Sequence, residues 1–112
     1  MRTAPLAFAL LLAFAGCGGG PSPQTGNVVV PWFIGAVGVV TNIKAGASVS
    51  WQSTDFHAHT STSTQSPATF AEQIVAAGAT STPLVFNTPG SYPYICRYHG
   101  TQQMNGTVVV SP

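Results

Sequence analysis

Charge is the scarcest feature of this 112-residue sequence. Only Arg2, Lys44, Arg97, Asp55 and Glu72 carry it, 4% of the residues where about 25% is usual. A formal charge of +1 leaves no basic stripe, which argues against a nucleic-acid binder. No acidic or basic tail is present either. Cysteine is rarer still. Cys17 and Cys96 allow at most one disulfide, so a disulfide-stapled miniature is excluded. Leucine nearly vanishes after residue 26, where Leu84 stands alone, and that argues against a helical domain. Hydrophobic residues nonetheless make up 45%, which does not fit disorder through excess charge. The length suits one domain.

What is present begins with an address. Arg2 precedes an apolar run over 6–14, then small residues and Cys17. A charged start, a short greasy stretch and a small-residue site describe a secretory signal peptide, expected over 1–16. The run falls far short of the ~20 residues that span a bilayer. Its end, Phe14-Ala15-Gly16-Cys17, resembles the lipobox of bacterial lipoproteins, with Phe14 in place of the usual Leu. The resemblance implies that Cys17 is acylated and anchors the mature chain to a membrane. Residues 18–26, GGGPSPQTG, have the composition of a flexible spacer. The expected organisation is therefore a signal peptide over 1–16, a lipidated cysteine and tether over 17–26, and a folded domain over 27–112.

The folded part is rich in Val, with four Ile, a composition that favours strands. Short apolar or alternating runs recur at 27–33, 37–43, 48–52, 58–63, 82–86, 91–96 and 107–110. Gly46, Pro67, Gly78, Pro89-Gly90 and Gly106 punctuate them. This spacing predicts an all-β sandwich or barrel. Val49 and Trp51 should share one face. Residues 60–64, TSTST, read equally well as a strand with hydroxyls on both faces or as a loop. The one helical candidate is 70–77, ended by Gly78. Asn105 and Gly106 read most simply as turn residues.

The groups able to do chemistry are few and clustered. His57 and His59 sit together, and Cys96, His99 and Met104 form C-x2-H-x4-M after a predicted strand. Bringing the two segments together unites a thiolate, imidazoles and a thioether. Thiolate and thioether suit Cu(I), imidazole suits either copper oxidation state, and two His, one Cys and a long axial Met make a blue-copper electron-transfer site. The thiol must lose its proton to bind, so binding is coupled to pH. Parity leaves His57 and His59 equivalent, since both fall on the same face of a straight strand.

The stretch 91–106, SYPYICRYHGTQQMNG, followed by TVVV, resembles the ligand loop of plastocyanin-type cupredoxins. Val49-Ser50-Trp51 and the segment from Asp55 to His59-Thr60 resemble the family's V-x-W-x-N-x-D-x-x-x-H-T pattern. Pro89-Gly90-Ser91-Tyr92 matches its P-G-x-Y turn. The resemblance implies a Greek-key β-sandwich of about seven to eight strands holding one type 1 copper ion. It implies His59, Cys96, His99 and Met104 as ligands, leaving His57 as a solvent-facing loop residue or a neighbour of the site. The chain departs from the family at Ile95, where plastocyanins carry tyrosine, at Tyr98, where proline is common, and at Thr60, where several relatives have asparagine. The acidic docking patch of plastocyanins is missing.

The resulting expectation is a monomeric blue-copper protein, held by its lipid on the periplasmic side of a bacterial membrane. It would pass single electrons to or from a redox protein such as a c-type cytochrome or an oxidase. Neither an enzyme nor a nucleic-acid partner is expected. Two other readings use the same residues: a module for copper delivery, storage or resistance, and a cupredoxin-like structural domain without metal.

Overall fold

The computed structural model describes residues 22–112. The expected signal peptide, Cys17 and the first part of the spacer, 18–21, lie outside these residues. Eight strands follow in chain order: β1 (Asn27–Trp32), β2 (Val39–Lys44), β3 (Ser48–Ser53), β4 (His59–Ser63), β5 (Gln73–Val75), β6 (Leu84–Val85), β7 (Gly90–Ile95) and β8 (Asn105–Ser111). They form two sheets, β1-β3-β6 and β2-β8-β7-β4-β5. The fold is the expected all-β sandwich.

Period-two patterning drives the assembly. In β8 burial alternates strictly, with Gly106, Val108 and Val110 turned inward. Val49 and Trp51 of β3 are both fully buried, as their spacing predicts. Trp32, Trp51 and Tyr94 meet at the centre, with Tyr94 5.1 Å from Trp32 and 5.2 Å edge-on to Trp51 between ring centres. Aromatic side chains of this kind bury roughly 150–250 Å² each and dominate a small core. Tyr92 closes the turn into β7 by donating its hydroxyl proton to the Thr88 carbonyl.

Two expectations need correction and an open one is settled. Residues 70–77 are not helical. Gln73, Ile74 and Val75 pair antiparallel with Ser61, Thr60 and His59, with Val75 buried and Ile74 63% exposed. A helix of only about two turns is marginal on its own, whereas the edge of β4 offers ready partners. Residues 60–64 read as strand or loop; all but Thr64 lie in β4. Asn105 and Gly106 open β8 rather than forming a turn. Gly106 faces Tyr94 across the ladder, and a Cβ there would lie 2.5 Å from the Tyr94 hydroxyl. Glycine is required because an aromatic ring occupies the space.

The register also builds the site. The Thr62–Ile95 pairing of β4 with β7, carried one step on, puts Cys96 beside Ser61, two residues from His59. The Ile95–Asn105 pairing of β7 with β8, carried one step on, puts Cys96 beside Met104. His59, Cys96 and Met104 thus come to one end of the sandwich.

Candidate metal centre

Cys96 is the point of convergence. Its Sγ lies 3.4 Å from His99 Nδ1 and 3.9 Å from His59 Nδ1, and the two Nδ1 atoms are 3.3 Å apart. His59 and Cys96 are fully buried, and His99 is half-buried. With metal–nitrogen bonds near 2.0 Å and metal–sulfur bonds near 2.3 Å, ligands stand about 3.3 Å apart in a tetrahedral arrangement and up to about 3.7 Å in a trigonal one. The observed spacings, 3.3–3.9 Å, lie close to this range, as donors for one small ion should. The donor set, two imidazoles and a soft thiolate, is one that suits copper.

Each donor is held from behind. His59 Nε2 meets Asp55 Oδ1 at 2.7 Å, which turns Nδ1 toward the thiol. The same carboxylate accepts the Ile34 amide at 3.0 Å and the His57 amide at 3.1 Å. Partial desolvation pushes the Asp55 carboxyl up, but these two amides and the His59 ring together hold it well below the usual carboxylate range. His99 is shifted the other way from a cation's preference: desolvation, then the neighbouring His59 and His57, lower its pKa and favour the neutral, metal-binding ring.

The thiol is fixed by β4. The Thr60 amide donates to Cys96 Sγ at 3.4 Å, and the Thr60 side-chain oxygen accepts the Arg97 amide at 2.7 Å. Trp32 Nε1 donates to the Thr60 carbonyl at 2.9 Å, tying this residue to the core. The Thr60 hydroxyl pairs with that of Thr62, which donates to Glu72 Oε1 at 2.8 Å. Glu72 in turn holds Arg97 through two bonds of 2.8 and 2.7 Å. Arg97 and then Thr62 bring the Glu72 carboxyl down to about 2.

Met104 is fully buried at the end of the loop. Its carbonyl accepts from the Cys96 amide at 3.3 Å, and its own amide donates to the Gly100 carbonyl at 3.1 Å. Gly100 has a φ of 91°, a left-handed conformation that suits glycine and lets the loop turn back after His99. Asn105 accepts from the Gly38 amide at 2.8 Å and donates to the Thr101 carbonyl at 2.8 Å, fastening the loop to the β1–β2 connection.

Of the two upstream histidines, His59 is brought to the thiol. His57 is exposed on the β3–β4 loop and stands outside the triad. Sequence reasoning missed Asp55, Thr60, Thr62 and Glu72 as supports. For Asp55 a signal existed in its spacing four residues before His59; for Glu72 there was none. A groove of about 250 Å³ between β1 and β2, lined largely by Val28, Val30, Val39 and Val40, contains no titratable group and none of the residues named here.

Comparison with known proteins agrees with this geometry. Residues 39–111 match the family described as copper binding proteins, plastocyanin/azurin family. The chain therefore belongs to the plastocyanin/azurin family of copper-binding proteins. No curated protein matches it. Among solved structures it is similar to the Cu(I) form of an amicyanin variant in which a methionine is replaced by alanine: TM-score 0.60, 22% identity, 79% of this chain and 85% of that one. It is also similar to a purple cupredoxin from Nitrosopumilus maritimus, with TM-score 0.55, 20% identity, 73% of this chain and 99% of that one. These likenesses establish the fold, and His59, Cys96 and His99 are positioned within it as ligands for copper.

Proposed function

We propose that the protein is a one-electron carrier outside the cytoplasm, in which His59, Cys96, His99 and Met104 would hold a single type 1 copper. The observation that carries this reading is the convergence of two imidazole nitrogens and one buried thiol within 3.9 Å. Bound copper supplies a Cu(II)/Cu(I) couple. The protein's own residues do the rest. Asp55 and the Thr60 amide fix the ring of His59 and the sulfur of Cys96, so the donors move little between oxidation states. Buried packing around Cys96 and Met104 shields the site, while the half-buried His99 offers an edge to a partner.

The proposed partner is a redox protein that docks on the neutral, apolar surface around His99. Tyr98 beside it is 50% exposed, and Phe56, on the loop that carries Asp55 and His57, is 96% exposed. The proposal includes lipid attachment at Cys17, supported by the apolar run and small residues before it. In a bacterial host, Cys17→Ser should move the protein from the membrane fraction to the soluble fraction; unchanged membrane association would rule out the anchor.

The decisive experiment adds Cu(II) to the purified protein. An intense blue colour with a narrow copper hyperfine splitting is expected, lost in Cys96→Ser and His59→Ala. A colourless adduct would defeat the electron-transfer reading. Rapid electron exchange with a small c-type cytochrome should follow; slow exchange with easy copper loss to a chelator would point to copper delivery instead.

A further inference from the structure

His57 is the one histidine that the copper site leaves unused, yet it is placed with care. Its amide donates to Asp55 Oδ1 at 3.1 Å, and its carbonyl accepts from Ser53 Oγ at 2.8 Å. Its main chain is therefore fixed on both sides while its imidazole stays exposed. The ring meets that of His99 edge-on, 5.8 Å between centres, and lies 6.4 Å from that of His59. His59 and His99 are themselves 5.0 Å apart. Three imidazoles thus run from the surface inward, from exposed His57 through half-buried His99 to fully buried His59.

The carboxylate nearest this group, Asp55, is already engaged by His59. Arg97, the only cation on the ligand loop, is engaged by Glu72. The fixed main chain holds the exposed imidazole edge-on to His99, the half-buried ring of the site. As a pair at the surface, His57 and His99 could offer a first pair of donors to an ion. Copper arrives hydrated, and stripping its water all at once before it reaches a buried thiol is costly. Exposed imidazoles can replace that water stepwise.

We propose that His57 is a copper-capturing ligand: it takes the ion together with His99 at the surface, and the ion then passes inward to His59 and Cys96. This inference rests on the reading that His59, Cys96 and His99 hold copper. The transfer changes no oxidation state. The His57 nitrogen lets go as the Cys96 sulfur binds, a bound water leaves as the His59 nitrogen binds, and the thiol proton goes to solvent.

Stopped-flow mixing of the metal-free protein with aqueous Cu(II) tests it. His57→Ala and His57→Gln should reach the parent's final blue spectrum, but roughly tenfold more slowly, the lower end of what loss of a supporting group costs at metal sites. A second measurement removes the thiolate. Cys96→Ala should leave Cu(II) at the surface pair of His57 and His99, seen as nitrogen couplings in the electron paramagnetic resonance spectrum. Adding His57→Ala should remove one coupling and weaken binding. Equal uptake rates in parent and His57 variants would overturn the proposal. So would loss of the blue colour in His57→Ala, which would make His57 a ligand of the finished site. A parent protein that never turns blue would instead refute the copper site itself.

Discussion

His59 Nε2 lies 2.7 Å from Asp55 Oδ1, and this contact decides which ring nitrogen meets the thiol. An imidazole that binds metal through one nitrogen must anchor the other, and a carboxylate does so with a charge-assisted bond. Asp55 is itself fixed by the Ile34 amide, so the first strand's end, the β3–β4 loop and the site are one connected unit.

Removing this support should weaken metal binding by about 10–100-fold. Competition with a chelator of known affinity would measure it in Asp55→Ala. Asp55→Asn keeps a carbonyl acceptor and should fall between parent and Ala. Equal affinity in all three proteins would show that packing alone orients His59.

Gly106 makes a second prediction, about stability. Tyr94 crosses the strand where a Cβ would sit, at 2.5 Å from its hydroxyl and 2.6 Å from the adjacent ring carbon. Tyr94 is wedged between Trp32 and Trp51 and has little room to yield. Gly106→Ala should therefore cost about 1–3 kcal/mol, as overpacking does. For a domain of this size that lowers the melting temperature by roughly 4 °C or more. An unchanged thermal transition would mean that the core is looser than this packing implies.

Much of this was legible in the sequence because local signals agreed with one another. Val-rich runs, turn residues and the Val49–Trp51 alternation all pointed to strands, and C-x2-H-x4-M put the soft donors on one loop. What escaped was non-local. Gln73–Val75 becomes a strand only because β4 lies beside it; its flanks, Phe70-Ala71-Glu72 and Ala76-Ala77, suit a helix in isolation. Gly106 is dictated by a tyrosine twelve residues earlier, and nothing near it in the sequence announces that. Glu72 reaches Arg97 across 25 residues, so both looked like ordinary surface charges.

That ion pair gives a pH prediction. Glu72 titrates near pH 4.5 when unfolded and is lowered to about 2 in the fold, first by Arg97 and then by Thr62. Its contribution is fully present above the unfolded value and is lost as pH falls from about 4.5 toward 2. Both side chains are partly solvated, which keeps the effect modest. The parent's melting temperature should drop more steeply across this window than that of Glu72→Gln. Parallel curves for the two proteins would show that the pair contributes nothing to folding.

Scarcity of charge makes a last prediction, about docking. Once the segment containing Arg2 is set aside, Lys44 and Arg97 balance Asp55 and Glu72, and Arg97 is neutralised locally by Glu72. The loops flanking His99 present Phe56, Tyr98, Ile34 and Phe33, with no uncompensated charge among them. Electrostatic steering needs a field that extends beyond a Debye length, about 8–10 Å near physiological salt. This face has little to supply, so encounter should depend on apolar contact. Electron transfer to a c-type cytochrome should change less than about threefold between 20 mM and 500 mM salt, because only screened long-range attraction would produce more. Phe56→Asp should slow it at every ionic strength by placing a charge in the contact. A steep fall in rate with added salt for the parent protein would instead mean that the partner is recognised through charge.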